Sequence, residues 1–245
     1  ATIFNGNGMI YSTNGAFSGA VGGGSLTLTD DGTNVFGTFT KGPDNTGIGG
    51  GNGQFNNNLV LYVDTVSGGF GSTSGFQDGG DGSRKAISGY NNASQLSVIT
   101  FASGFLPDYG ISLRAVSGSS FGGLWQLANG GNNSMPFMAN VGLSPVNTVT
   151  APAYTFSFSL ASVGLTPGAG QSFNLFGTFV SNTGNRSGEA LAGTVSPDTA
   201  TLKGWVPFTQ TSFATYTTTA VPEPTALALL GLGLSVLVNR FRRKS

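Results

Sequence analysis

Polar and apolar residues alternate along Tyr154-Thr155-Phe156-Ser157-Phe158-Ser159-Leu160, which sets an aromatic and aliphatic face toward a core and a hydroxyl face toward water or a ligand. The same two-residue period runs through Ser25-Leu26-Thr27-Leu28-Thr29. It stops at the turn-forming Asp30-Asp31-Gly32-Thr33-Asn34 and resumes in Val35-Phe36-Gly37-Thr38-Phe39. That order predicts a hairpin. Leu59-Val60-Leu61-Tyr62-Val63-Asp64 is apolar at nearly every position and reads as a central strand. Further strands are expected over 97–101, 109–116, 124–127 and 173–180, broken by Gly104, Pro107 and Gly118, with a short helical turn near Ala86 to Tyr90. Residues 41–58 are rich in glycine and asparagine and read as a surface loop. Leu175-Phe176-Gly177-Thr178-Phe179 echoes Val35-Phe36-Gly37-Thr38-Phe39, one short echo rather than a repeat array.

Many short strands, glycine-rich turns and few segments of helical period predict an all-β body. The expected fold is an antiparallel β-sandwich, jelly-roll-like, followed by a C-terminal hydrophobic helix. The expected division is a body over 1–208, a linker over 209–220 that holds seven threonines and serines, and a tail over 221–245.

The tail has three parts: Val221-Pro222-Glu223-Pro224, an uncharged leucine-rich run from Ala226 to Val238, and the cations Arg240, Arg242, Arg243 and Lys244. In lipid a helix is the only way for such a run to satisfy its backbone. Thirteen helical residues reach only about 20 Å against about 30 Å of hydrocarbon, so the anchor is marginal and borrows Thr225, Asn239 and Phe241 or thins the bilayer. The basic cluster acts as a cytoplasmic stop and leaves residues 1–224 outside. This layout resembles the PEP-CTERM sorting signal of exported bacterial proteins. The resemblance implies a transpeptidase-like processing enzyme, an exosortase, as partner. It also implies a Gram-negative-type host that makes exopolysaccharide, a precursor held transiently in the inner membrane, and a mature form on the cell surface or in the extracellular matrix. No basic n-region or apolar h-region opens the chain at Ala1, so a secretory signal is expected to have been removed already.

The chain has no histidine and no cysteine, which removes the usual zinc ligands, thiol nucleophiles and common general base. Net charge is zero, but the tail holds four cations against Glu223, leaving the body six cations and nine acids, or −3. No basic stripe for nucleic acid is present. Gly118-Ser119-Ser120-Phe121-Gly122 fits the nucleophile-elbow pattern by letter, yet no histidine exists to take the serine proton. Paired carboxylates are the remaining catalytic option, at about 5 to 10 Å separation for a glycosidase.

Asp30, Asp31, Asp44 and Asp198 lie in turn contexts and are expected to cap backbone. Asp64, which ends an apolar strand, and Asp78, Asp81 and Asp108 in the loops beyond it leave two readings open. They are solvated turns, or Asp64, Asp78 and Asp81 hold a structural calcium ion, the only cofactor these residues suggest. Arg186 and Glu189 suggest an ion pair beside a turn. Trp125, Trp205, Tyr62, Tyr90 and Tyr109 carry amphipathic rings suited to stacking on sugars or to packing in a core. The segment from Leu59 through Tyr109 resembles parts of glycan-binding β-sandwich modules of exported bacterial proteins. The leading expectation is a non-enzymatic exported protein that associates with extracellular polysaccharide and has no nucleic-acid partner. The alternatives are a secreted carbohydrate-active enzyme using two aspartates and a self-associating structural surface protein.

Overall fold

The computed structural model describes residues 1–10, 17, 19–43, 53–196 and 205–219. The first strands are β1 (Thr2–Asn5), β2 (Ser25–Asp30), β3 (Asn34–Thr40) and β4 (Asn58–Asp64). One short helix, α1 (Gly82–Ser88), precedes β5 (Tyr90–Asn92), β6 (Gln95–Leu96) and β7 (Ile99–Thr100). Then come β8 (Tyr109–Arg114), β9 (Phe121–Gln126), β10 (Phe137–Asn140) and β11 (Ala153–Ser159). The last are β12 (Ser172–Val180), β13 (Arg186–Leu191), β14 (Gly193–Ser196) and β15 (Phe208–Thr217). A small sheet runs β1-β2-β3-β11, and a large one runs β10-β9-β8-β4-β12-β15-β14, with β13 also beside β12. β7 joins β15 in parallel, while the two sheets are otherwise antiparallel. The body is an all-β sandwich.

The predicted hairpin is β2 and β3. Its turn forms because the Asp31 carboxylate accepts from the amides of Thr33 and Asn34, and Gly32 takes a φ of 81° that a side chain would resist. Leu26, Leu28, Val35 and Phe39 then point inward with Tyr154, Phe156 and Phe158 of β11. They meet Leu59, Leu61, Val63, Ile111, Leu113, Leu175 and Phe179 of the large sheet. The sandwich is stitched at both sides. Asn7 N donates to Ala190 O and Ala192 N to Asn5 O on one side, and Val141 to Ser144 bridges β9 and β11 on the other. Closing the edges in this way removes templates for pairing with other chains.

β4 is central, as expected, between β8 and β12. Its near-continuous apolar run is explained by a second covering on the far face of the large sheet. Val60 and Tyr62 point away from the sandwich into a separate cluster with Phe76, Ala86, Ile87, Ile99, Phe101 and Phe105, all from the connection between β4 and β8. Buried Arg186 fastens this layer: its Nη2 donates to Tyr62 Oη at 3.0 Å, its guanidinium lies 5.8 Å from the Tyr62 ring centre, and its Nε reaches Ser97 O. Tyr62 Oη donates onward to Ile87 O.

Three expectations are corrected. Residues 209–217, read as a linker, belong to β15, because threonine's branched Cβ suits a strand and β12, β14 and β7 all pair with it. Arg186 and Glu189, expected as a pair beside a turn, instead lie within strand β13, which starts directly after the turn at 181–185 and whose six residues are all buried. The helix begins earlier than Ala86, at Gly82, since Asp81 caps it. Among the described residues no helix is long and apolar enough to cross a membrane. The expected C-terminal helix, Asp44, Asp198 and residues 44–52 of the expected loop lie outside the described residues.

Candidate functional site

The covering layer carries an open cleft of about 350 Å³ lined by Ser74, Gly75, Gln77, Tyr90, Gly130, Gly131 and Asn132. One wall is the 3₁₀ turn Thr73–Phe76, which Ser72 caps through Ser74 N and which is anchored by buried Phe76 packed edge-on against Phe70. The facing wall is the loop after β9, tied across by Gly130 N to Gly75 O and Gly131 N to Gln77 O. Tyr90 follows Gly89, the left-handed cap of α1 with φ 67°; a Cβ there would lie 2.4 Å from Ser97 O. Glycine therefore lets the helix end and turn the chain at once into Tyr90.

Asp78 builds the second wall. Fully buried, it accepts from Gly80 N and Asn133 N through Oδ1 and from Met135 N through Oδ2, and Arg84 Nε lies 3.5 Å away. Asp81 caps α1, accepting from Ser83 N and Arg84 N at 2.9 Å, and also pairs with Arg84 Nη1. Asp64 is bound elsewhere, to Asn174 Nδ2 and Leu106 N. Burial raises its carboxyl above the ordinary range, the hydrogen bonds oppose this, and the nearby charge of Asp108 adds to it. Asp108 takes the amides of Thr65 and Val66. Arg84 thus joins Asp78 to Asp81 but not to Asp64, and among the described residues no three acidic, histidine or cysteine side chains group as a metal site.

Among the described residues the other carboxylates are also engaged. Glu189 accepts three backbone amides, from Gly19, Val21 and Gly22, a concave arrangement of N–H donors round an anion. Its burial nevertheless raises the carboxyl above the usual value. Asp30 holds the C-terminal end of the body, taking bonds from Tyr216 Oη at 2.6 Å and from the amide and hydroxyl of Thr219. Burial pushes Asp30 up, and these bonds with that of Gly32 N outweigh it, so its carboxyl lies below the ordinary value. Ser120 of the apparent nucleophile elbow bonds to Val116 O and Asn147 in a turn entering β9.

Of the five amphipathic rings, Tyr62, Tyr109 and Trp125 are core, and half-buried Trp205 lies outside the cleft wall. Tyr90 lines the cleft. Sequence reasoning named it among five candidates and missed Gln77 and Asn132, which carry no local signal.

Strand β15 runs from Phe208 to Thr217, and residues 220–244 match the PEP-CTERM protein-sorting motif. The chain carries a PEP-CTERM sorting tail. It is therefore an exported protein, processed by an exosortase-type enzyme and anchored in the membrane before sorting. No curated protein matches the chain. The sorting residues Val221, Pro222, Glu223 and Pro224 and the stop residues Arg240, Arg242, Arg243 and Lys244 all fall within the match, outside the described residues. The matched PEP-CTERM tail thus begins at Ala220, next to Thr219.

Proposed function

We propose that the body is a non-enzymatic module that associates with extracellular polysaccharide at the cell surface or in the matrix, through the cleft beside Tyr90. The observation that carries this reading is the cleft's lining: one half-buried aromatic ring among amide, hydroxyl and glycine backbone groups. A ring face suits the C–H face of a pyranose, and neutral donors and acceptors suit its hydroxyls. Such a lining also argues against catalysis. No carboxylate lies on it, and the described carboxylates accept hydrogen bonds that hold backbone or side chains in place. A carbohydrate-active enzyme would draw on Asp64 and Asp108, whose charges interact, but each is committed to main-chain amides.

The test is co-sedimentation of the mature body with exopolysaccharide from the producing cells, beside an assay for released reducing ends. Binding without sugar release is expected, with Tyr90→Ala weakening it about tenfold, the equivalent of ~1.4 kcal/mol. Release of reducing sugar that Asp64→Asn abolishes would turn the reading to the enzyme.

A further inference from the structure

The last described residues are tightly held. Thr218 N donates to Gln171 O and its hydroxyl to Gly168 O, while Gly170 N and Gln171 N donate back to Thr218. Thr219 is fixed to Asp30 through both its amide and its hydroxyl. This clasp leaves little chain between the folded body and the membrane. From Thr219 to Ala226, where the apolar run begins, there are seven residues, which extend at most about 25 Å whatever their conformation. A compact body of this size has a radius of gyration of about 17 Å and a diameter near 45 Å. The tether is shorter than the body is wide.

Strand register defines the body's two poles. Asp64 pairs with Asn174 in β12, and the neighbouring Ser172 with Thr217 in β15, so the loops 65–69 and 160–171 and the Asp30 turn share the pole where the chain leaves. The turns 115–120 and 181–185 lie at the other pole, because Leu113 pairs with Leu59 and Val180 with Asn58 at the start of β4. Tyr90 lies beside the 181–185 turn, its amide nitrogen 2.8 Å from where a Cβ on Gly184 would be, whereas the facing wall of the cleft leaves β9 at Gln126, which pairs with Tyr109 near the other pole; the cleft therefore lies on the flank between the poles.

We propose that the pole formed by Asp30, Asp31, Gly168 and Thr219 is the surface the precursor presents to its processing enzyme, with the turns 115–120 and 181–185 facing away from the membrane. A tether of at most about 25 Å cannot carry the chain round a body about 45 Å wide, so the opposite orientation is out of reach while the tail is inserted. The pole is acidic and carries no lysine or arginine over 30–33, 160–171 or 215–219. Anionic headgroups repel such a surface, which leaves the enzyme's extracytoplasmic face as its partner rather than the lipid. The inference rests on the sorting tail alone and stands whether or not the body binds polysaccharide.

The natural absence of cysteine permits a clean test in exporting cells. A single cysteine is placed at exposed Thr33 or Ala169 on the near pole, or at exposed Ser119 or Thr183 on the far one. Bulky maleimide should label the near-pole cysteines of the membrane-held precursor several-fold more slowly than those of the released body. The far-pole pair should label equally in both forms. A photo-crosslinker at Thr33 should give an adduct with the processing enzyme, and one at Ser119 none. Equal labelling at both poles, adducts from both positions, or adducts from Thr33 to lipid alone would overturn the proposal. A glycine-serine spacer of about twenty residues between Thr219 and Ala220 adds roughly 25 Å of mean reach and should remove the part of the near-pole protection that the short tether imposes; protection that survives the spacer while the Thr33 crosslinker gives adducts to lipid and none to the enzyme would overturn the proposal.

Discussion

The two faces of the large sheet are built from the same strands but by different means. Toward the small sheet, strands meet strands, and Leu59, Leu61, Val63 and Phe179 interdigitate with an equally regular partner. Toward the outside, Val60, Tyr62 and Phe176 are covered by an irregular connection of one short helix, a 3₁₀ turn and glycine-rich loops. Apolar contact holds the first face. The second adds polar fasteners, Arg186 on Tyr62 and Asp78 on the loop after β9, because loops leave backbone donors that a strand ladder would have paired. The regular face makes the body stable, and the irregular one makes the cleft.

The strongest way to break this contrast is to empty each face in turn. Phe179→Ala and Phe176→Ala remove fully buried rings on opposite sides, and each should cost about 3–5 kcal/mol in urea unfolding with an unchanged slope. Retention of the main transition by Phe176→Ala alone would mean that the covering layer unfolds independently. Next in size, Asp78→Asn removes the charge that Arg84 and three amides share, and should cost about 1.5–3 kcal/mol. It should also raise hydrogen exchange at Asn133 and Met135 before it does so in the sandwich.

On the regular face, Gly37 gives room to a neighbour: a Cβ there would meet the Phe156 ring at 2.3 Å. Gly37→Ala should cost about 1–3 kcal/mol by overpacking, and Phe156→Leu should restore part of it in a double-mutant cycle. Gly177, in the echoing segment of β12, likewise clears Leu61 and Leu191, so the echo marks one packing solution used on both sheets.

The smallest effects lie in the pH profile, where two carboxylates act with opposite signs. Glu189 is raised above 4.5 in the fold, so its contribution is complete below pH 4.5 and is lost as pH rises through the folded value. Asp30 is lowered below 3.8, so its contribution is present above pH 3.8 and is lost as pH falls through the folded value. Thermal melts across pH should show Glu189→Gln flattening the decline above pH 4.5 and Asp30→Asn flattening the acid limb. Identical profiles for the two variants would remove the assigned difference.

The regular face was legible along the chain. In β2, β3 and β11 a period of two names both the strand and its inward residues, because a sheet with one solvated face forces alternation. β4 was legible as central from its unbroken apolar run. β15 was not, since its threonines fit a linker by composition and a strand by stereochemistry, and only its partners decide between the two.

What the sequence by itself determined is what depends on residues close together in the chain: the alternating strands, the Asp31 turn and the PEP-CTERM tail, whose parts follow one another within 220–244. Tertiary structure alone decided which side chains share a site. Asp78 and Met135 are 57 positions apart and Glu189 and Gly19 are 170 apart, and no local pattern encodes either meeting. The same holds for Tyr90 among the five amphipathic rings. Its place on a cleft wall, while Tyr62 lies under Arg186, is set by how a covering loop folds back on the sheet, and burial of that kind is a property of the packed whole.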